Sequence, residues 1–251
     1  MYNGGEHWIH KENDLRIMEE REENKLKILL INGSPKKENS DTLKIANAFL
    51  EGMREEGEQD ITTVHVYEKH IEYCTGCFEC LQKNTHCIFN DDMGEILELI
   101  PTCDVLIFNY PLYTYGMPAK MKCFADRLLP LSKWEVEKKN GKYFHPSRVD
   151  LSHQKAVLIT GCGFPGGKLN FDAAITQFRF MFPENSTVIT VPESPLFSLP
   201  SAKLVTIPRL RLLTDAGREF AKTGAIEDVM LKKIATPMIP EETYMHITNG
   251  K

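Results

Sequence analysis

Five apolar runs, each rich in β-branched residues, constrain this chain more than any other feature of its sequence. They are KLKILLIN (25–32), ITTVHVY (61–67), DVLIFNY (104–110), KAVLITG (155–161) and STVITV (186–191). A strand with one wet face alternates polar and apolar residues; these runs are nearly continuous, which predicts strands buried on both faces. Segments of helical period follow them: TLKIANAFLEGMREEG (42–57), DDMGEILELI (91–100), MPAKMKCFADRLLPL (117–131), LNFDAAITQFRFMF (169–182) and TDAGREFAKTGAIEDVMLKKI (214–234). Strand and helix in alternation build βαβ crossovers, so the expected fold is α/β, a doubly wound five-stranded parallel sheet. At 251 residues the chain can bury a large core. With no internal repeat or low-complexity linker, residues 25–251 read as a single domain.

Two stretches enlarge that frame. Residues 132–154 hold Asn140-Gly141 between EVEKK and KYFHP, the signal of a two-residue hairpin turn. Residues 192–213 contain Pro192, Pro195, Pro200 and Pro208 and read as an irregular excursion. Loops of this length are commonly covers or interface segments. Residues 1–24 form a charged N-terminal extension without the apolar centre of a signal peptide. It is expected to be a solvated appendage, with a helix from about Glu6 to Glu23 and a few apolar residues (Trp8, Ile9, Leu15, Ile17, Met18) able to dock on this domain or a second subunit. A net charge of −5 gives no electrostatic case for nucleic acid or an anionic membrane. No apolar run approaches the roughly 20 residues of a membrane span. A cytoplasmic location is the expectation.

The first candidate site follows the first strand, in Asn32-Gly33-Ser34-Pro35-Lys36-Lys37-Glu38-Asn39-Ser40-Asp41-Thr42. A helix N-terminus attracts a phosphate dianion through its free N–H groups and dipole. Ser34, Ser40 and Thr42 add three hydroxyls there, more than the one needed to cap a helix. The loop lacks G-x-x-x-x-G-K-[ST], which excludes a nucleoside-triphosphate P-loop.

NGSPKKENSDT resembles the G-S-P-x-x-x-x-S-N-T phosphate loop of the flavodoxin-like NADPH-dependent FMN reductases and iron–sulfur flavoproteins. The resemblance continues through CTGCFECLQKNTHCIFNDDM, PLYTYGMPAKMKCFADRLLP and TGCGFPGG. It implies strand order 2-1-3-4-5 and FMN as cofactor. It places Ser34, Ser40 and Thr42 on the phosphate and Lys36 on a usually basic position. Asp41 stands where Asn is usual; its carboxylate is expected to turn away and leave only its N–H to the site.

The third strand ends in Tyr110-Pro111-Leu112-Tyr113-Thr114-Tyr115-Gly116, at the switch point where ligands bind in such sheets. By resemblance Pro111, Leu112, Tyr113, Thr114, Tyr115 and Gly116 line the flavin ring. The fourth strand ends in Thr160 and Gly161-Cys162-Gly163-Phe164-Pro165-Gly166, which spells G-x-G-x-x-G. A dinucleotide fingerprint belongs after the first strand, Pro165 lacks an N–H, and no acidic residue closes a strand about 20 positions on. Thr160, Gly161, Gly163 and Phe164 therefore read as the other wall of the flavin pocket, where glycine lets backbone approach closely. Asp126-Arg127, also a spelling common in the family, does not share a helix face and reads as structural.

YCTGCFECLQKNTHC (73–87) carries Cys74, Cys77, Cys80 and Cys87, spaced C-x2-C-x2-C-x6-C. Three thiolates on a short loop and a fourth beyond can take the corners of a [4Fe–4S] cubane, as the resemblance to iron–sulfur flavoproteins suggests. Zinc usually separates two Cys-x-x-Cys knuckles further. The favoured reading is thiols packed without metal, since free cysteine packs as a small hydrophobe. The cluster is kept as a candidate. Functionally, the resemblance implies an NAD(P)H oxidoreductase passing hydride through FMN to a flavin, quinone or similar small-molecule acceptor, as a homodimer or homotetramer. The rivals are an electron carrier linking FMN, a cluster and a ferredoxin-like partner, and a non-enzymatic FMN-binding module.

Overall fold

A computed structural model describes residues 25–83 and 86–250. The expected N-terminal helix lies outside the described residues. The central sheet consists of β1 (Leu26–Asn32), β2 (Gln59–His65), β3 (Val105–Pro111), β6 (Lys155–Gly161) and β7 (Ser186–Val191), β4 (Glu137–Lys139) and β5 (Lys142–Phe144) being a separate hairpin. All five strands run parallel in the order β2-β1-β3-β6-β7, which is 2-1-3-4-5 counted over the sheet alone. The three central runs become the core as their unalternating pattern requires: Leu30, Ile31, Ile107, Phe108, Val157, Leu158 and Ile159 are completely buried. The run 61–67 departs from that expectation, because β2 is an edge strand with Thr62 and Thr63 exposed and only Val64 of its residues buried.

Helix α1 (Asp41–Glu55) leaves the end of β1, α2 (Glu79–Gln82) lies in the cysteine run, and α3 (Met93–Leu99) precedes β3. Helix α4 (Ala119–Asp126) follows β3, α5 (Asp172–Met181) follows β6, and α6 (Lys203–Thr223), α7 (Asp228–Ala235) and α8 (Glu241–Asn249) follow β7. Helices α1 and α6 meet backbone to backbone. A Cβ on Gly52 would sit 1.8 Å from the Thr214 carbonyl oxygen, and one on Gly217 would sit 1.9 Å from that of Phe49. Two glycines at this crossing therefore set the position of α1 and of the loop at its head.

The expected hairpin in the first insert is present: β4 (Glu137–Lys139) pairs antiparallel with β5 (Lys142–Phe144). Asn140 and Gly141 at its tip have φ of 51° and 80°. The second insert differs from expectation. It is irregular only as far as Ala202; from Lys203 the chain is a 21-residue helix with Pro208 inside it. A proline near a helix start forfeits one hydrogen bond and need not end the helix when the rest of it is packed. The closing segment 214–234 is likewise not one helix, because Gly224 at φ 70° ends α6 before α7 begins.

Candidate functional site

Three loops leave the same end of the sheet from adjacent strands. Two asparagines in register, Asn32 of β1 and Asn109 of β3, hold them together. Asn32 Oδ1 accepts from the Ser34 N–H at 3.2 Å, and its Nδ2 donates to Lys37 O at 3.3 Å. Asn109 Nδ2 donates to Thr42 O at 3.0 Å and to Ile159 O at 3.1 Å, joining the first loop to the fourth strand of the sheet. Asn32 opens the first candidate loop in the sequence, whereas Asn109 carries no site expectation there. The available signal was a polar residue late in each of two otherwise apolar strands, LLIN and LIFN.

In the first loop Ser34, Ser40 and Thr42 are buried. Ser40 caps α1, its Oγ accepting from the Leu43 N–H at 3.3 Å, and it also lies 2.8 Å from Thr42 Oγ1. The Ser40 and Thr42 hydroxyls thus meet at the helix start, with the Asp41 and Thr42 amides as its leading N–H groups, while Ser34 Oγ accepts from the Lys36 N–H at 3.3 Å. The Asp41 carboxylate accepts from Ser198 Oγ and from Lys44 Nζ at 3.0 Å, toward the segment after β7. Lys36 Nζ lies 3.8 Å from it on the exposed side.

The second loop turns back at once: Tyr113 and Gly116 exchange both backbone hydrogen bonds at 3.0 Å. Thr114 and Tyr115 sit at its tip with φ of 49° and 63°. Two successive non-glycine residues in the left-handed region are strained, and such strain gathers at ligand sites. Tyr113 and Tyr115 are exposed; Pro111 and Leu112 are sheltered below them.

The third loop closes the group. Leu112 N–H donates to Gly161 O at 2.8 Å. A Cβ on Gly161 would lie 2.7 Å from Ser194 Cβ and 3.2 Å from Thr42 Cγ2, so the absence of a side chain there lets this loop touch the first. Phe164 stacks on Tyr115, with centroids 6.1 Å apart and planes 11° from parallel. Gly163 lies against Pro195. Thr160 is spent on structure, its hydroxyl donating to Tyr110 O at 2.8 Å.

The cysteine run lies between β2 and α3. Gly76 and Phe78 take φ of 67° and 58°. Cys74 and Cys77 are exposed, Cys80 is buried and Cys87 half-buried. Burial pushes the Cys80 thiol up, and the charges of Cys87, Cys77 and Cys74 add to it. Among the described residues, no three His, Cys, Asp or Glu side chains are gathered to hold a metal ion. Two arginines fasten the run. Arg148 Nη2 donates to Cys80 O at 2.7 Å. Arg127 donates to both Asp91 oxygens at 2.7 and 2.9 Å and to Glu72 O at 2.7 Å, with both side chains 1% exposed. Burial opposes the Arg127 charge, but hydrogen bonds to Asp91 and Cys87 and the charge of both outweigh it. Asp126 pairs instead with Lys122, so the adjacent Asp126 and Arg127 have separate partners.

Residues 26–183 match the model of the family described as having a flavodoxin-like fold. The chain belongs to that family. Within the flavodoxin-like frame, an iron–sulfur flavoprotein from Archaeoglobus fulgidus is 37% identical over 118 residues, 47% of this chain and 51% of that protein. One from Methanosarcina thermophila is 34% identical over 115 residues, 46% and 59% of the two chains. The chain thus spans about half the length of these curated relatives. Two solved structures share the fold: an FMN-dependent NADH-azoreductase from Bacillus anthracis in complex with FMN (TM-score 0.56, 18% identity, 78% of this chain and 98% of that one) and an NAD(P)H:quinone oxidoreductase from Methanothermobacter marburgensis (0.57, 20%, 78% and 97%).

Proposed function

We propose that the three loops bind FMN and that the protein is an NAD(P)H-dependent oxidoreductase serving a small-molecule acceptor such as a flavin or quinone. The observation that carries this reading is the contact of Gly161 with Thr42. It sets an aromatic-edged crevice beside the first loop, whose Ser34, Ser40 and Thr42 hydroxyls are buried. A phosphate fits there because hydroxyls, helix N–H groups and the Lys36 ammonium are all donors, while the Asp41 carboxylate is engaged by Ser198 and Lys44. Ser34, Ser40, Thr42, Lys36 and the Asp41 amide would hold the phosphate. Pro111 to Gly116 and Gly161 to Phe164 would flank the ring system, giving apolar cover and backbone hydrogen bonds. When bound, FMN supplies hydride acceptance and release; the protein supplies position and a water-poor setting.

Exposed Tyr113, Tyr115, Phe164 and Phe180 support self-association as a homodimer or homotetramer. No described helix is long and apolar enough to cross a membrane, and we place the enzyme in the cytoplasm as a single domain over residues 25–251. The purified protein should show a flavin spectrum or acquire one on titration with FMN, and NAD(P)H should bleach it. Failure to bind FMN would refute the reading. A second reading, electron transfer between FMN, a [4Fe–4S] cluster and a ferredoxin-like partner, draws support from the influence of the other three thiols on Cys80 and from relatives named iron–sulfur flavoproteins. Iron and acid-labile sulfide after anaerobic purification, with bleaching by reduced ferredoxin but not by NAD(P)H, would favour it.

A further inference from the structure

Glu193 is the least expected side chain near the crevice. It follows β7, is completely buried, and has φ 57° although it is not glycine. A carboxylate out of water and a strained backbone are both costly, and such a residue persists only when its surroundings demand it. Its surroundings are the third loop on one side and the C-terminal segment on the other. Toward the loop, the Glu193 N–H donates to Phe164 O at 3.0 Å. Its neighbour Ser194 donates twice to Cys162 O, from N at 2.8 Å and from Oγ at 3.2 Å. Toward the C-terminus, Glu193 Oε2 accepts from the N–H groups of Met238 and Ile239, in the link between α7 and α8. Its Oε1 is buried without a hydrogen-bond partner.

Arg209 holds the start of the C-terminal segment, and Tyr244 brings that segment against the loop. Arg209 of α6 donates to Ile234 O and, at 2.6 Å, to Thr236 O. Tyr244 of α8 is 2% exposed, and its hydroxyl would lie 4.0 Å from a Cβ on Gly163. Burial pushes that phenol up to about 12, with the charges of Cys162 and Glu193 adding to the effect.

We propose that Glu193 is a positioning residue that ties the segment Thr236–Asn249 to the loop Gly161–Phe164, so that docking of the segment and occupation of the crevice form one coupled equilibrium. The proposal rests on the FMN reading. The loop has few side chains of its own to define its shape, so its carbonyls at Cys162 and Phe164 are the handles, and residues 193 and 194 hold both. Coupling is reciprocal: whatever factor segment docking adds to FMN affinity, FMN adds to segment docking.

Hydrogen exchange read by mass spectrometry over peptides 161–167 and 236–249, with and without FMN, tests this in the full chain beside FMN titrations. In the unmutated protein FMN should slow exchange in 236–249 several-fold. Glu193→Ala should speed exchange in both peptides and raise the FMN dissociation constant about tenfold. Glu193→Gln should restore most of both, because its amide oxygen can still accept from Met238 and Ile239. Met238→Pro removes one of those donors with Glu193 intact, and serves if the alanine variant fails to fold; it should raise the dissociation constant several-fold. An affinity unchanged within twofold in Glu193→Ala or Met238→Pro, while 236–249 exchanges faster, would overturn the proposal. So would an FMN effect confined to 161–167. If the unmutated protein binds no FMN, the flavin reading falls by itself. The tie is then judged by whether Glu193→Ala loosens both peptides or only the C-terminal one.

Discussion

Replacing Arg127 by methionine should be among the most damaging single changes available in this protein. The guanidinium and the Asp91 carboxylate are each 1% exposed and meet through two hydrogen bonds of 2.7 and 2.9 Å. Asp91 also accepts from the N–H groups of Glu72 at 2.9 Å and Met93 at 3.2 Å, so it cannot swing out to water without undoing the backbone on both sides. Arg127→Met keeps the volume and strands the carboxylate. Breaking one partner of a buried pair costs about 3–5 kcal/mol. At about 2–4 °C per kcal/mol for a domain of this size, Tm should fall by roughly 6–20 °C.

The loss should depend on pH. Burial pushes the Asp91 carboxyl up, but Arg127 and the two amides outweigh it and hold its pKa below the usual value. The stability it contributes is therefore present above the ordinary aspartate pKa of about 4 and is lost as pH falls through the lower folded value. The gap between the parent and Arg127→Met should narrow accordingly as the medium is acidified. Urea denaturation across pH would measure it, and the double variant Arg127→Met/Asp91→Leu should recover at least half of the single variant's loss. A single-variant cost below about 1 kcal/mol, or a double variant equal to the sum of the singles, would refute the reasoning. Because Arg127 also holds Glu72 O and Cys87, the single variant should let Ellman's reagent reach Cys80 faster.

Three further outcomes are expected. Gly217→Ala places a methyl 1.9 Å from a carbonyl oxygen that cannot rotate away; overpacking of up to about 3 kcal/mol, less about 1 for helix propensity, should lower Tm by several degrees, whereas Gly94→Ala, with open space around it, should not lower it. Thr42→Val removes one buried hydroxyl at the helix start and should weaken FMN about ten- to hundredfold by fluorescence titration, while riboflavin, which has no phosphate, binds as before. Burial raises the Glu193 pKa against the opposing Met238 and Ile239 amides, so its contribution is fully present below the ordinary glutamate value and is lost as pH rises through the folded one. Glu193→Gln should accordingly match the parent near pH 4 and gain in relative urea midpoint toward pH 8.

The centre of the sheet was legible because burial on both faces leaves a run of apolar residues without alternation. Leu26–Asn32 and Lys155–Gly161 needed only their apolar runs to be found. The positions of the candidate loops were legible for a different reason. Hydroxyls crowded at a helix start and aromatics at a switch point are local spellings, and Ser40, Thr42 and Tyr115 stand where such spellings put them. Contacts between distant segments left no such mark. Pro208 reads as a breaker in any window of the sequence, and only the packing of Gly217 against Phe49 shows that the helix continues through it. Glu193, between two prolines, reads as a polar loop residue, and its burial appears only once α8 lies against the third loop.

The same distinction bears on the cysteine run, where spacing alone left cluster, zinc and bare thiols in competition. In the fold the run is fixed from outside itself, by Arg148 from the hairpin insert and Arg127 from the end of α4. Two exposed thiols, Cys74 and Cys77, are thereby held near Cys80 and Cys87 on a backbone kept in shape by left-handed Gly76 and Phe78. A loop that merely buried small hydrophobes would have no need to leave two of its four sulfurs in water. The anchoring places the chemical interest of the run in those two thiols, and it gives the structural reading of Arg127 its content, a buried guanidinium that holds Glu72 O at the entrance of the run.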